Sequence, residues 1–362
     1  MQNNNIKILI LRVSAIGDVI HTLPAIFLLK KMLPTADISW VVQKKAADIL
    51  VNQKFIKNLY ILNDKFLYPK NLKSTLKTIV NLRKNKWDFI LDFQGLLKTS
   101  SIIAFLTGKK FGFDKQNARS KFSTFFTHKQ INPNYKNIIE KNLSLVTHTA
   151  FNFKNTKSCP AIESIKQDFK LNYSNHDTNF VESWLINNNI KNFILLAPNT
   201  TWESKHWPQE NWIELVKFLQ KNLVNSKIVL TGTHFGNQAK NILNFCKNNN
   251  LKIIETPKFN LIQMAKLIEK SKLLLAPDTG LLHLADFLQK NAIGIFGPTK
   301  AKIHGAYINK FNIDNAIQIE CPHYYEKTHG NTKNSSKSNN CMYKLNAETL
   351  GRKILYLLGD EK

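Results

Sequence analysis

Three segments, far apart in the chain, hold residue types suited to moving a group from one molecule to another. The first is Ser14-Ala15-Ile16-Gly17-Asp18-Val19-Ile20-His21-Thr22-Leu23-Pro24, shortly after the apolar run Ile8 to Leu11. Gly17 permits a sharp turn and the close approach of a ligand. Asp18 then falls at or near a helix N-terminus, where it serves either as a plain cap or as a carboxylate base at the mouth of a sheet. His21, three residues on, shares its helix face and is placed to orient or tune it. The second segment is Pro277-Asp278-Thr279-Gly280-Leu281-Leu282-His283, directly after Lys272-Leu273-Leu274-Leu275. Asp278 reads as a helix cap, while Thr279 and Gly280 leave backbone N–H groups aimed at an anion. The third is Ala197-Pro198-Asn199-Thr200-Thr201-Trp202-Glu203-Ser204-Lys205-His206-Trp207-Pro208. Its two threonine hydroxyls and one lysine suit a diphosphate, and ordinary turn residues are the plainer alternative. No Asp-x-Asp pair stands in a suitable loop, so positive protein groups rather than a metal are expected to neutralise a departing diphosphate.

Each segment must be held by a strand before it and a helix after it. Strand-like runs at Ile8–Leu11, Ile38–Val42, Leu59–Leu62 and Phe89–Phe93 alternate with helical spacing over Val19–Leu33, Ala46–Val51 and Leu72–Asn85. The alternation lapses over Thr156–Asn179, a polar stretch read as a linker. It resumes with strands at Phe193–Ala197, Lys227–Thr231, Lys252–Glu255, Lys272–Ala276 and Ala292–Phe296. Such alternation predicts parallel sheets with right-handed crossovers, and ligand sites at the strands' carboxyl ends. Residues 326–340 read as a flexible polar loop, and Leu345–Leu358 as an amphipathic closing helix.

Composition sets outer bounds. A chain of 362 residues that is 43% hydrophobic suffices for two cores. No stretch approaches the roughly 20 apolar residues of a membrane span, and the N-terminus lacks the features of a secretory signal. Four cysteines do not make a disulfide scaffold. Cys321 and Cys341 flank a loop carrying His323 and His329, but that spacing matches no compact metal motif. The net charge of +26 fits an anionic partner, and the lysines are spread rather than gathered into an arm, which counts against nucleic acid.

The first segment with Ala25, Asp92-Phe93-Gln94-Gly95-Leu96-Leu97-Lys98, Lys205-His206-Trp207-Pro208 and Asp278-Thr279-Gly280-Leu281-Leu282-His283 resemble, in collinear order, the bacterial lipopolysaccharide heptosyltransferases, glycosyltransferase family 9. The type I enzymes resemble the chain most. The resemblance spans about Ile8 to Tyr307. It implies an α/β, GT-B architecture of two Rossmann-like domains facing across a cleft. An acceptor domain at 1–172, joined by the C-terminal helix 345–362, would precede a donor domain at 178–325. It further implies inverting, metal-independent transfer of L-glycero-D-manno-heptose from ADP-heptose to the Kdo of Kdo-lipid A, with no cofactor. The enzyme would sit peripherally at the cytoplasmic face of the inner membrane.

By the same resemblance Asp18 is the general base, and Thr200, Thr201 and Lys205 contact the donor phosphates. Asp278 contacts the heptose, and Thr279, Gly280, Leu281 and His283 line the donor site. Phe259 falls near the nucleotide. Arg119 matches an acceptor-side arginine, with Ser14, Gly17 and His21 on the same side. Where the family commonly carries an acid for the ribose, after Gly232, this chain has Thr233-His234-Phe235-Gly236-Asn237-Gln238, which leaves Asn237 as the candidate. The stretch from Cys321 to Met342 has no match. The alternatives are a type II or other ADP-sugar transferase, and, in a different class, a non-catalytic basic nucleotide- or nucleic-acid-binding protein.

Overall fold

The computed structural model describes residues 5–154, 159–322, 324–327 and 340–359. The chain divides into two compact units, Met1–Asn172 and Tyr173–Lys362.

The first unit is a parallel sheet of β1 (Lys7–Leu11), β2 (Asp37–Gln43), β3 (Asn58–Leu62), β4 (Phe89–Asp92), β5 (Lys109–Phe113) and β6 (Lys129–Ile131) in the order β3-β2-β1-β4-β5-β6. Helices α1 (Ile16–Ile20), α2 (Leu23–Met32), α3 (Lys44–Ala47), α4 (Pro69–Arg83), α5 (Leu97–Ala104) and α6 (Ile138–Lys154) connect and cover it. Strands β1 and β4 are near-continuous apolar runs because helices cover a parallel sheet on both faces, and Ile8, Leu9, Ile10 and Leu11 are fully buried. The helix expected over Val19–Leu33 is two helices. Pro24 stands in the first turn of α2, where its missing N–H costs no intrahelical bond. The helix expected over Ala46–Val51 is only the single turn α3.

The second unit repeats the plan. It contains α7 (Asn175–Asn187), β7 (Phe193–Leu196), α8 (Gln209–Asn222), β8 (Lys227–Leu230), α9 (Asn237–Asn248), β9 (Ile254–Glu255), α10 (Leu261–Lys270) and β10 (Leu273–Pro277). Helix α11 (Gly280–Phe287), β11 (Ala292–Phe296), α12 (Ala301–His304), α13 (Lys310–Asn315), β12 (Ile317–Gln318) and α14 (Ala347–Leu358) complete it. Its parallel sheet runs β12-β11-β10-β7-β8-β9. Counted from β7, this is the same strand order as in the first sheet. In each, the strand order reverses between the first strand and the fourth, β1 with β4 and β7 with β10. A crevice opens at such a switch point because successive crossovers leave on opposite faces.

Two parts of the chain depart from the sequence reading. Residues 156–158 of the expected linker lie outside the described residues. The rest of that stretch is no loose tether: Ile165 and Phe169 are buried, Phe169 stacks edge-on to Phe27 at 5.4 Å, and Asn172 bonds Gln53. Helix α7 begins at Asn175, with Ser174 Oγ accepting from the Asp177 N–H at 3.0 Å. The closing helix, expected to join the first domain, instead packs on α8 of the second unit. Gly351 lies against the Phe218 ring, and the Leu345 carbonyl accepts from Trp207 Nε1 at 3.1 Å and Asn211 Nδ2 at 3.0 Å. Leu350, Ile354 and Leu355 enter the core that holds Trp207 and Trp212, so its apolar stripe has an occupied docking place there. Residues 328–339, most of the expected polar loop and including His329, lie outside the described residues, as does His323.

Candidate active site

The first sheet's switch point is built around Arg12 and Asp18. Arg12 directly follows β1 and is almost wholly buried. Its Nη1 donates to the Phe93 carbonyl at 2.6 Å, and its Nε to the Thr22 hydroxyl and the Asp18 carbonyl, each at 3.2 Å. It therefore ties the end of β1 to the end of β4 and to α1. Gln94, after β4, completes the tie: its Oε1 accepts from the N–H groups of Val13 at 3.0 Å and Ser14 at 3.1 Å. Asp92 folds the β4 turn by accepting from Gln94 and Gly95 N–H groups at 2.9 and 3.0 Å. Gly95 has φ +56° and lies close to the Arg119 backbone, so a side chain there would be strained. Burial pushes the Asp92 carboxyl up to about 6, against the opposing pull of those N–H groups.

Asp18 sits in the first turn of α1, with Oδ2 accepting from the Ala15 N–H at 3.0 Å. Its Oδ1 takes Nη2 of Arg119 at 2.7 Å. Burial alone would raise its proton affinity, but the charges of Arg12 and Arg119 and the Arg119 and Ala15 hydrogen bonds outweigh burial. They hold the carboxyl well below the usual carboxylate range. Asp18 is thus both a helix-terminal acceptor and an ionised group, with 17% of its side chain exposed. Arg119, expected on the acceptor side, is its direct ion partner. Ser14, partly exposed, presents its N–H to Gln94. Gly17 was expected to make a sharp turn, but it lies inside α1 and is not among the glycines with left-handed backbone. His21 ends α1, buried, its carbonyl accepting from Asn142 Nδ2 at 2.9 Å.

The equivalent point of the second sheet holds a second charged cluster. Asp278, after β10, is buried. Its Oδ2 accepts from Lys205 Nζ at 2.6 Å and from the Thr299 hydroxyl at 2.8 Å, and its Oδ1 meets His283 Nε2 at 2.9 Å. Burial opposes ionisation, but the hydrogen bonds and charges of His283 and Lys205 hold the carboxyl far below its ordinary range. Asp278 is therefore not the cap of α11, a position taken by Thr279, which makes no side-chain capping bond. Thr279 Oγ1 is buried and has no hydrogen-bond partner among the described residues, beside the first N–H groups of α11, Gly280 and Leu281.

Lys205 comes from the 3₁₀ turn Glu203–Lys205, and its ammonium lies 4.4 Å from the Trp202 ring centre. Of the two threonines before it, Thr200 gives its hydroxyl proton to the Trp202 carbonyl at 2.5 Å, and Thr201 is exposed. The structure brings Lys205, Asp278 and His283 together. It leaves Asn237 exposed at the start of α9, and Phe259 buried in the core, edge-on to Phe180 and Trp184 at 5.6 Å each.

Sequence reading missed several groups here. Thr299 comes from the Gly297-Pro298-Thr299 turn that follows β11. Asn199 pins the β8 loop, donating to the Gly232 carbonyl at 2.6 Å and accepting from the Ala239 N–H at 3.0 Å. Arg12 and Gln94 are polar side chains directly after buried strands, which must find partners, and here they find them in each other's strand ends. Among the described residues no group of three or more His, Cys, Asp or Glu is placed to hold a metal ion. Cys321 and Cys341 are both buried as free thiols, and burial, with Cys321 as hydrogen-bond neighbour, pushes the Cys341 thiol up to about 12.

Each sheet thus presents, at its switch point, a carboxylate held ionised by cations, Asp278 buried and Asp18 partly exposed. The sequence profile described as glycosyltransferase family 9 (heptosyltransferase) matches residues 75–334. Lipopolysaccharide heptosyltransferase 1 of Campylobacter coli is 28% identical over 361 residues, covering 98% of this chain and 100% of the relative. Among solved structures, E. coli heptosyltransferase WaaC with ADP aligns with a TM-score of 0.73 at 21% identity, over 97% of this chain and 100% of that one. E. coli ADP-heptose lps heptosyltransferase II aligns with a TM-score of 0.72 at 16% identity, over 98% of each chain. These likenesses extend the GT-B fold to both units, and the profile match over most of the chain decides the family: the protein belongs to glycosyltransferase family 9, the heptosyltransferases.

Proposed function

We propose that the enzyme transfers L-glycero-D-manno-heptose from ADP-heptose to the Kdo of Kdo-lipid A, with inversion and without a metal, at the cytoplasmic face of a membrane. The type I reading is supported by the full-length likeness to a lipopolysaccharide heptosyltransferase 1. The observation that carries the chemistry is the state of Asp18, an ionised carboxylate in the first turn of α1 that still reaches solvent.

In this reading the acceptor hydroxyl gives its proton to Asp18 as its oxygen bonds the anomeric carbon. The bond from that carbon to the ADP β-phosphate oxygen breaks in the same displacement, and ADP leaves with the electron pair. A single displacement inverts the anomeric centre. Proton transfer to Asp18 runs late, because a carboxylate so well stabilised is a weak base until the attacking hydroxyl has acidified. Lys205 has three donors and one is given to Asp278, so it retains donors for the departing phosphate. The N-terminus of α11 and the Thr279 hydroxyl supply neutral donors to the same charge. No cofactor has a part in this scheme.

A panel of ADP- and UDP-sugars, offered with Kdo-lipid A and with Kdo-lipid A already carrying one heptose, tests the reading. Transfer from ADP-heptose to the unheptosylated acceptor is expected. Transfer only to the heptosylated acceptor would make the enzyme type II. Transfer only from another sugar nucleotide would reject the donor.

A further inference from the structure

One face of the first unit is apolar where it meets solvent. Leu9 and Leu11 of β1, Val41 of β2 and Ile90 of β4 form the inner side of this layer. Onto them pack Leu82 and Ile79 of α4, Ile102 and Ile103 of α5, and Phe126 of the 3₁₀ turn Lys121–Phe126. These three elements therefore form one covering layer, and its outer side is unusual. Leu72, Leu76 and Val80 make a stripe four residues apart along α4, exposed by 44%, 53% and 53%. Phe105, at the end of α5, and Phe122 and Phe125 of the 3₁₀ turn are exposed by 59%, 65% and 74%. Single exposed apolar residues need no explanation, but three aromatics and an aliphatic stripe on one layer do.

The charge around this layer names the partner. Between Lys65 and Ile131 the sequence holds fourteen lysine and arginine side chains and three acidic ones. None of α4, α5 or the 3₁₀ turn contains an acid. Lys73, Lys77, Arg83 and Lys84 are exposed beside the aliphatic stripe, and Lys115 lies 5.8 Å from the Phe125 ring centre. A second copy of this chain would set like charge against like. An anionic bilayer surface instead takes the apolar groups between its headgroups and the lysines among its phosphates.

We propose that this face, with α4 and the Phe122–Phe125 turn as its insertion elements, docks the enzyme on anionic lipid. The inference builds on the membrane location proposed above and assigns it to particular residues. It needs no glycolipid acceptor.

Co-sedimentation of the full chain with vesicles of phosphatidylglycerol and phosphatidylethanolamine, free of any glycolipid, tests it. Binding is expected there and not to phosphatidylcholine alone, weakening as salt is raised. The double substitution Leu76→Asp with Phe125→Asp should raise the half-saturating lipid concentration about tenfold or more. Both positions are exposed, so the melting temperature and the turnover of detergent-dispersed acceptor should stay unchanged. Docking and the proposed reaction are thereby read separately. As an independent measure, a fluorophore at Phe125→Cys in a Cys159→Ser background should shift to the blue on these vesicles. Unchanged vesicle binding in the double variant, equal binding to phosphatidylcholine, or a dimer in light scattering that the double variant dissolves, would overturn the proposal.

Discussion

Asp18 works under a constraint that its neighbours impose. The cations Arg12 and Arg119 keep it ionised, so its base form persists to low pH, at the cost of basicity. Asp18→Asn retains size and one acceptor oxygen for the Ala15 N–H, but loses the proposed base. Turnover should fall by roughly 10²–10⁴-fold with ADP binding nearly intact, as initial rates and calorimetry on one sample would show. A destabilised but active variant would make Asp18 a helix-terminal residue only. Arg119→Gln removes one cation, so the acid limb of kcat/KM should move up in pH, and an unmoved limb would detach Arg119 from the base. In the second unit, Lys205→Ala should weaken donor binding as well as turnover. It should also lower stability at neutral pH, because Asp278 stays buried and charged with one partner fewer. Adding Asp278→Asn should recover stability without recovering activity. The motifs marked Asp18, Lys205 and Asp278 because their residue types sit beside strand ends, and the family resemblance marked His283. The pairing of Arg119 with Asp18 was not legible, since it joins residues that only the β4 and β5 loops bring together.

Strands and helices were legible where their apolar period was long, and less so where partners decide. Strands β1, β4, β7 and β10 read directly from buried apolar runs. The single turn α3 did not, nor did the break between α1 and α2, where tertiary bonds from Arg12 and Asn142 fix the chain. The docking place of α14 was misread, because an amphipathic stripe states what a helix must bury and not against which neighbour. Its fit to α8 is checkable: Gly351→Leu should destabilise by about 1–3 kcal/mol through overpacking on Phe218. The β4 turn has a pH signature. The folded pKa of Asp92 is raised to about 6, above an unfolded value near 3.9. Its contribution is therefore most favourable below about pH 4 and is lost as pH rises through 6, by at most about 3 kcal/mol. Asp18 and Asp278 have lowered folded values, so theirs is full above about pH 4 and lost on further acidification. Asp92→Asn keeps an acceptor for Gln94 and Gly95 and should flatten the melting-temperature profile between pH 4 and 6 while leaving the fall below pH 4.

At the scale of the molecule, one strand order is used twice, and each copy carries its charged cluster at the point where the order reverses. That duplication was visible in the sequence as restarted alternation, whereas the identity of the two orders was not, since strand neighbours are long-range facts. The net charge of +26 reads in sequence as a spread of lysines. Only the fold shows that one acid-free layer of the first unit combines such charge with exposed aromatics. The proposed heptosyl transfer from ADP-heptose rests on protein groups that stabilise a leaving diphosphate, with Asp18 as base. It is tested most directly by measuring product formation from ADP-heptose and Kdo-lipid A in excess EDTA, wild type beside Asp18→Asn. Undiminished inverted product is expected from the wild type, and a turnover at least about 10²-fold lower from the variant. Loss of wild-type activity restored by added magnesium or manganese, or equal turnover by the two proteins, would contradict it.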